Sequence, residues 1–250
     1  MSVLALQLAG PLQSWGATSR FARRTTENAP TKSGVIGLLA AAQGLDRTAD
    51  LTELAGLRFG VRIDQPGTYL RDFQTAHHMD TEEALPLSER FYLADAVFLA
   101  LVEGEGSLID DLYRAVRAPV YMPYLGRRSC PPSRPIDLVV YQDTEIEHVL
   151  AAEPWHAAEW YQRRRRKERT VSLTTLTECR PNAAVPAGLQ EPAGTQIADT
   201  MRDQPQSFDP HHRRYSLRTV ETGTVTVANP LGAEVEKVPA HDPTSHLEGV

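Results

Sequence analysis

The chain opens on an apolar strand, a tight turn, a basic loop and a capped helix, and this order constrains the fold more than any other stretch. Residues 3–8 (Val-Leu-Ala-Leu-Gln-Leu) read as a buried strand, and Gly10-Pro11 stops it. Residues 14–30 are polar and basic. Thr31 or Ser33 then caps a helix that runs to about Gln43, with Gly44 at its C-terminal end. Gly34 and Gly37 lie three apart on that helix and leave a smooth face for close packing. A helix N-terminus favours negative charge. Arg20, Arg23, Arg24, Lys32 and Ser33 surround this one, so the stretch reads as a phosphate cradle. The competing reading is a solvated basic loop beside an ordinary capped helix. It is not a nucleotide P-loop, because Lys32 precedes Ser33-Gly34 instead of following glycine.

Further along, residues 51–57 suit a short helix, and 58–63 a strand with one wet face. Strands over 68–75 and 89–101 flank a polar, aperiodic stretch, so the pair reads as a long hairpin with a mobile tip. Residues 107–116 form a helix with Leu108, Leu112, Tyr113 and Val116 on one side, and a Pro-rich loop leads to a buried strand at 136–141. The order β-α-β, hairpin, α-β is that of a ferredoxin-like or RRM-like α+β domain carrying an insertion. Residues 157–169 read as a basic amphipathic helix, 181–198 as a linker, 215–227 as one or two strands, and the last twenty residues as a frayed tail.

The chain has 250 residues, a net charge of −6 and a pI near 5.8, which argues against polyanion binding by the whole surface. The distribution says more. Cations cluster at 20–24, 127–128, 163–169 and 213–214, and 23 of the 26 are arginine, whose fork binds two phosphate oxygens at once. A codon bias towards arginine would give the same count. No apolar run suits a membrane span or a signal peptide. Cys130 and Cys179 offer neither metal-ligand spacing nor a disulfide framework, which fits a reduced, cytosolic protein without a cofactor.

Four more clusters carry possible chemistry. In Tyr121, Tyr124, Gly126, Arg127, Arg128 and Ser129, one arginine can meet a phosphate while rings stack on bases, the mixture that recognises single-stranded RNA. The alternative is a surface loop whose arginines anchor it to the core. Cys130 beside them reads as packing. On the hairpin, Arg71 and Asp72 suggest an internal ion pair, and His77-His78 an exposed tip. His77, Tyr69 and Lys32 are the residues from which an acid/base set for RNA cleavage would be drawn. The run from Arg163 to Arg169, after Trp155 and Trp160, is dense enough to meet RNA, DNA or an acidic partner, or is simply a solvated face. His211 to Tyr215 reads as a basic strand entry.

Four ordered motifs resemble a known family. They are Ala9-Gly-Pro-Leu-Gln-Ser-Trp-Gly16 with Pro30-Thr-Lys-Ser-Gly-Val-Ile-Gly-Leu-Leu39, Leu70-Arg-Asp-Phe-Gln-Thr75, Tyr124-Leu-Gly-Arg-Arg-Ser-Cys-Pro131, and Met201-Arg-Asp-Gln-Pro205 running into His212-Arg-Arg-Tyr215. They resemble the CasD family of subunits of the type I-E CRISPR surveillance complex, Cascade, within the repeat-associated mysterious protein superfamily. The match is close over about the first 140 residues and looser in the C-terminal third. The resemblance implies a noncatalytic RNA-binding subunit that holds the 5′ handle of the CRISPR RNA. It implies an RRM-like palm over residues 1–68 and 93–250, with extra C-terminal strands, and a thumb hairpin over 69–92. The thumb would wedge against the RNA and the backbone subunit CasC, and another surface would hold the large subunit CasA. Target DNA is met through the complex, and RNA is cut by a different subunit, CasE. Phe73, Gln74 and Thr75 fall where the thumb leaves the palm, and Arg71, Phe73 and Gln74 join the expected RNA contacts. The alternative is a metal-independent endoribonuclease that processes repeat RNA.

Overall fold

The opening strand is buried along its whole length, because both of its faces are covered. In a computed structural model, residues 1–16, 23–179 and 197–232 are described. Strand β1 (Ser2–Ala9) leads through two-residue strands β2 (Leu12–Gln13) and β3 (Arg23–Arg24) to helix α1 (Lys32–Gln43). Helix α2 (Thr52–Ala55) precedes β4 (Arg58–Gln65), and the hairpin follows as β5 (Thr68–Gln74) and β6 (Ser88–Ala94). Then come β7 (Val97–Gly104), α3 (Gly106–Arg117), β8 (Asp137–Tyr141), α4 (Ile146–Ala152) and α5 (Glu159–Arg164). Strands β9 (Thr170–Glu178), β10 (Ile197–Ser207) and β11 (Arg214–Ala228) complete the described chain.

The architecture is mixed α+β and mostly antiparallel. One sheet has seven strands in the order β10-β11-β9-β4-β7-β1-β8, with every neighbouring pair antiparallel. The pleat sends alternate side chains of β1 to opposite faces. Leu4, Leu6 and Leu8 join the cluster containing Ile36 and Leu39 of α1 and Ile109 and Leu112 of α3. Val3 and Ala5 pack with Ile146, Val149 and Leu150 of α4. A strand covered on both faces needs a continuous apolar run, and this one has it. Helix α1 starts and stops where expected. Thr31 accepts a hydrogen bond from the Gly34 N–H, and Gly44 takes the left-handed conformation with φ +80.

A smaller sheet is built around β6. Strand β5 pairs with one edge of β6, and β2 and β3 pair with the other. The expected single strand over 89–101 is in fact two, because Asp95 has φ +57 and turns the chain from one sheet to the other. The proposed wet face of 58–63 is also corrected. Arg62 is fully buried, paired with Asp64 at 2.6 Å, and donates to the carbonyls of Leu150, Glu153 and Pro154. The basic helix over 157–169 shrinks to the six residues of α5, while α4, β9 and β10 were not anticipated. Most of the expected linker (180–196) and of the expected tail (233–250) lies outside the described residues. Among the described residues, no helix is long and apolar enough to cross a membrane.

A buried charge cluster ties α1 to the C-terminal strands. Lys32 Nζ meets Glu178 at 2.9 Å, and the Lys32 backbone N–H donates to Asp203 Oδ2 at 2.7 Å. Arg218 donates to both oxygens of Asp203, at 2.6 and 2.9 Å. Burial pulls the Lys32 ammonium below its ordinary pKa despite the opposing pull of Glu178.

Two predictions follow from this packing. Asp203→Ala leaves the buried Arg218 guanidinium without its acceptor and should lower the unfolding free energy by about 3–5 kcal/mol, read by urea denaturation. The second concerns acid. Burial alone would raise the Glu153 carboxyl, but hydrogen bonds from His156 and Tyr141 and the charge of Arg62 outweigh it and hold the carboxyl below its usual value. Burial, then the bond to Glu153, pushes Tyr141 up to about 12. A carboxyl lowered by folding stabilises fully above its unfolded pKa of about 4.3, and that contribution is lost as pH falls through the native value. Tyr141→Phe should therefore flatten the loss of thermal midpoint below about pH 5. An acid limb as steep as that of the parent protein would refute this assignment.

Candidate nucleic-acid interface

The side of α1 that carries its small residues is the floor of a groove of about 1120 Å³. Gly34, Gly37 and Ala41 lie along that floor, Tyr121 to Arg128 form one wall, and Phe208 to Tyr215 form the other. Gly34 is required here, because a Cβ would sit 2.8 Å from the ring of the buried Trp15. That ring is held by its own indole N–H, which donates to Gln13 Oε1 at 3.1 Å. Arg47, Arg127, Arg128 and Arg213 bring positive charge to the rim, against Asp46 and Asp209, and His211 lines the groove beside them.

The wall segment is clamped onto the turn after β1. Gly126 has φ +84, and a Cβ there would stand 1.8 Å from the Ser14 carbonyl oxygen, so only glycine fits. The Ser14 N–H donates to the Leu125 carbonyl at 3.1 Å, and Leu125 and Cys130 are buried beneath. Burial pushes the Cys130 thiol up, which suits packing and not nucleophilic chemistry. Above this anchor, Tyr124 is half-buried and Arg128 and Ser129 are exposed.

Adjacent arginines divide into different tasks. Arg127 donates to the carbonyls of Phe91 at 3.1 Å and Arg24 at 2.7 Å, and its guanidinium lies 4.8 Å from the centre of the Tyr92 ring. It joins the groove wall to β6 and β3. Arg128 stands on the rim with its side chain in solvent.

Strand β6 gathers three of the segments singled out in the sequence. Arg23 stacks 5.3 Å from the centre of the Phe91 ring. Glu89 takes Arg71 at 2.6 Å and Arg23 at 3.9 Å. Arg71 therefore pairs across the hairpin and not with Asp72, since neighbours on a strand point to opposite faces. The Arg71 guanidinium also lies 4.6 Å from the centre of the Phe73 ring, which is 51% exposed, and Gln74 is exposed beside it. Arg23 and Arg24 are exposed on β3, and Arg20 lies outside the described residues.

The phosphate cradle at the helix N-terminus is not formed as expected. Lys32 is 1% exposed and committed to Glu178. The first helical N–H is taken by the Asp203 carboxylate and the Gly34 N–H by Thr31, so a carboxylate already occupies the positive end of the helix. Ser33 is buried on the groove floor. The acid/base set is likewise not assembled. Tyr69 pairs with Leu93 at the root of the hairpin, His77 bridges Ala84 at its tip, and Lys32 is in the interior. Arg47 and Phe208 line the groove and were missed by sequence reasoning. Phe208 and Tyr215 stand 6.4 Å apart across a turn, and the basic strand entry at His211 to Tyr215 was the part of that wall legible in the sequence. Among the described residues, no three His, Cys, Asp or Glu side chains are placed to hold a metal ion.

Comparison with known proteins places this geometry in a family. The family model described as CRISPR-associated protein (Cas_Cas5) matches residues 3–221. The chain is 36% identical over 170 residues to the CRISPR system Cascade subunit CasD of Escherichia coli (strain K12), a match covering 60% of this chain and 75% of that protein. Among solved structures, a chain of a CRISPR RNA-guided surveillance complex superposes with a TM-score of 0.69 at 31% identity, covering 94% of this chain and 95% of that one. A Cas protein crystal structure gives 0.65 at 32% identity, covering 92% and 97%. A match over residues 3–221, which include every residue lining the groove, identifies the chain as a member of the Cas5 family of CRISPR-associated proteins.

Proposed function

We propose that this chain is a noncatalytic CRISPR RNA-binding subunit of a type I-E Cascade complex, and that it caps the 5′ handle of the RNA. The observation that carries the reading is the groove along α1, with its small-residue floor, its aromatic wall and its arginine rim. The named relatives support it: one is a Cascade subunit, and another is a chain of an RNA-guided complex. Single-stranded RNA is held by charge on its phosphates and by rings against its bases. Arg128, Arg23 and Arg24 supply exposed charge, Tyr124 and Tyr121 supply rings, Ser129 supplies a hydroxyl, and the exposed Gly126 lets the strand come close. The buried Lys32 is left out of this set.

The palm reading rests on order. Elements β1, α1, β4, β7, α3 and β8 follow one another along the chain, and their strands lie in the sheet as β4-β7-β1-β8, the arrangement of a ferredoxin-like, RRM-like unit. The hairpin β5–β6 is the thumb. It would meet CasC, while another surface meets CasA and the target DNA is reached through the assembled complex. The working compartment is the cytoplasm. No reaction is assigned to the chain, and the lone protein should leave repeat RNA intact in the absence of metal. Cleavage there would favour a processing endoribonuclease instead.

The loop makes a sharp prediction. Arg128→Ala should weaken handle binding by about 1–3 kcal/mol with no change in thermal midpoint, since its side chain is exposed. Arg127→Ala should lose affinity and lower the midpoint as well, because it releases the carbonyls of Phe91 and Arg24. Crosslinks from the reconstituted complex should map the 5′ handle to residues 23–33 and 124–129. Crosslinks confined to other segments would remove the capping role.

A further inference from the structure

The groove does not use the densest positive charge on the chain. Residues 159–169 hold six cations, Arg163, Arg164, Arg165, Arg166, Lys167 and Arg169, against two carboxylates, Glu159 and Glu168, in a protein whose net charge is −6. All of these cations except the half-buried Arg165 are exposed, and Trp160 beside them is 54% exposed. We propose that this segment is a second, sequence-independent nucleic-acid site that takes the phosphate backbone of duplex DNA.

The segment is built to hold its charge in place. Its backbone is pinned from below: Asn229 Nδ2 donates to the Arg165 carbonyl at 3.0 Å, and Gln162 Nε2 donates to the carbonyls of Trp155 and Ala157 at 3.1 and 2.9 Å. Trp155 is buried, its indole N–H donates to the Asp64 carbonyl at 2.8 Å, and the Arg165 guanidinium lies 5.8 Å from its ring centre. The cationic side chains thus project from an ordered base. The Arg163–Glu159 pair is solvent-exposed, and such a pair is weak enough to exchange for a phosphate.

Position separates this site from the groove. Strand β9 begins at Thr170, next to the cations, and ends at Glu178, which holds Lys32 at the start of α1. Eight steps of about 3.3 Å put the two ends about 26 Å apart. None of residues 159–169 lines the groove. Shape decides the ligand. A single strand is held in a channel by successive stacked rings, whereas here one exposed ring, Trp160, stands among projecting cations outside the groove. Such a surface selects density of negative charge, and duplex DNA carries one charge per roughly 1.7 Å of axis. This inference is independent of what the groove binds.

The test is fluorescence anisotropy of the full chain with a labelled 20-base-pair DNA duplex of arbitrary sequence, at salt from about 50 to 200 mM. Each cation that neutralises a phosphate contributes about 0.9 to the slope of log affinity against log salt. The variant Arg164→Gln, Arg166→Gln, Lys167→Gln should therefore flatten that slope by about 2.7 and weaken duplex binding at least about tenfold. Its affinity for single-stranded handle RNA and its thermal midpoint should not change. The swap Arg164→Lys, Arg166→Lys should keep the slope, while Arg128→Ala should reduce RNA binding and spare the duplex. An unchanged slope in the Gln variant overturns the proposal. So does an equal loss of RNA and duplex binding, which would make the segment part of the RNA path. Displacement of the duplex by an equal concentration of a polyglutamate peptide also overturns it, since the site would then prefer an acidic protein partner.

Discussion

The cluster of Lys32, Glu178, Asp203 and Arg218 is the constraint on which the rest of the molecule depends. It joins the first residue of α1 to three strands that arrive at least 146 positions later in the chain. Each ion pair alone contributes little net stability, because the desolvation of buried charge offsets the attraction. Breaking it is costly, since any one missing member strands a buried charge, so the cluster acts as a registry device. It also redirects function. The Asp203 carboxylate consumes the positive end of α1, so that end is closed to a phosphate, and the open surface is the side of the helix where Gly34, Gly37 and Ala41 leave room.

That redirection explains what was legible in the sequence. The bounds of α1 were readable because the Thr31 cap and the Gly44 terminator act within a turn of the residues they govern. The strand β1 was readable because burial on two faces leaves an unbroken apolar run. Lys32 was read as a phosphate ligand and the strand of Arg62 as wet on one face, because what makes a buried cation tolerable is its partner. Glu178 is far away in sequence, and Arg62 is satisfied by Asp64 together with three carbonyls from a later segment. The break at Asp95 was hidden because a non-glycine residue in the left-handed region has no strong local signature. In β9, Val171, Leu173 and Thr175 alternate with exposed residues, a period of two that the charges just before it overshadowed.

The site shows the same division between local and distant causes. Tyr124 to Ser129 stood out because glycine, aromatic and arginine residues occur together in a short span. Its rigidity comes from elsewhere: from the Ser14 carbonyl that excludes any side chain at position 126, and from β6, whose backbone at Phe91 accepts hydrogen bonds from both Ser14 Oγ and Arg127. A double arginine read from sequence is two equivalent cations. In the fold, one joins strands and the other faces solvent, because consecutive side chains leave the backbone in different directions.

A net acidic charge therefore does not contradict the proposed RNA-binding role. At physiological salt, charge is screened over about 8 Å, so a phosphate in the groove feels the rim and not the sum of the surface. The exposed rim cations Arg128, Arg47 and Arg213 would meet such a phosphate within the screening length, while acidic groups on other faces are screened. Net charge governs solubility and long-range approach. Under the proposed reading, recognition rests on the few cations the fold leaves exposed beside a ring, and that choice follows from burying Lys32 and Arg62 and from committing Arg127 to structure.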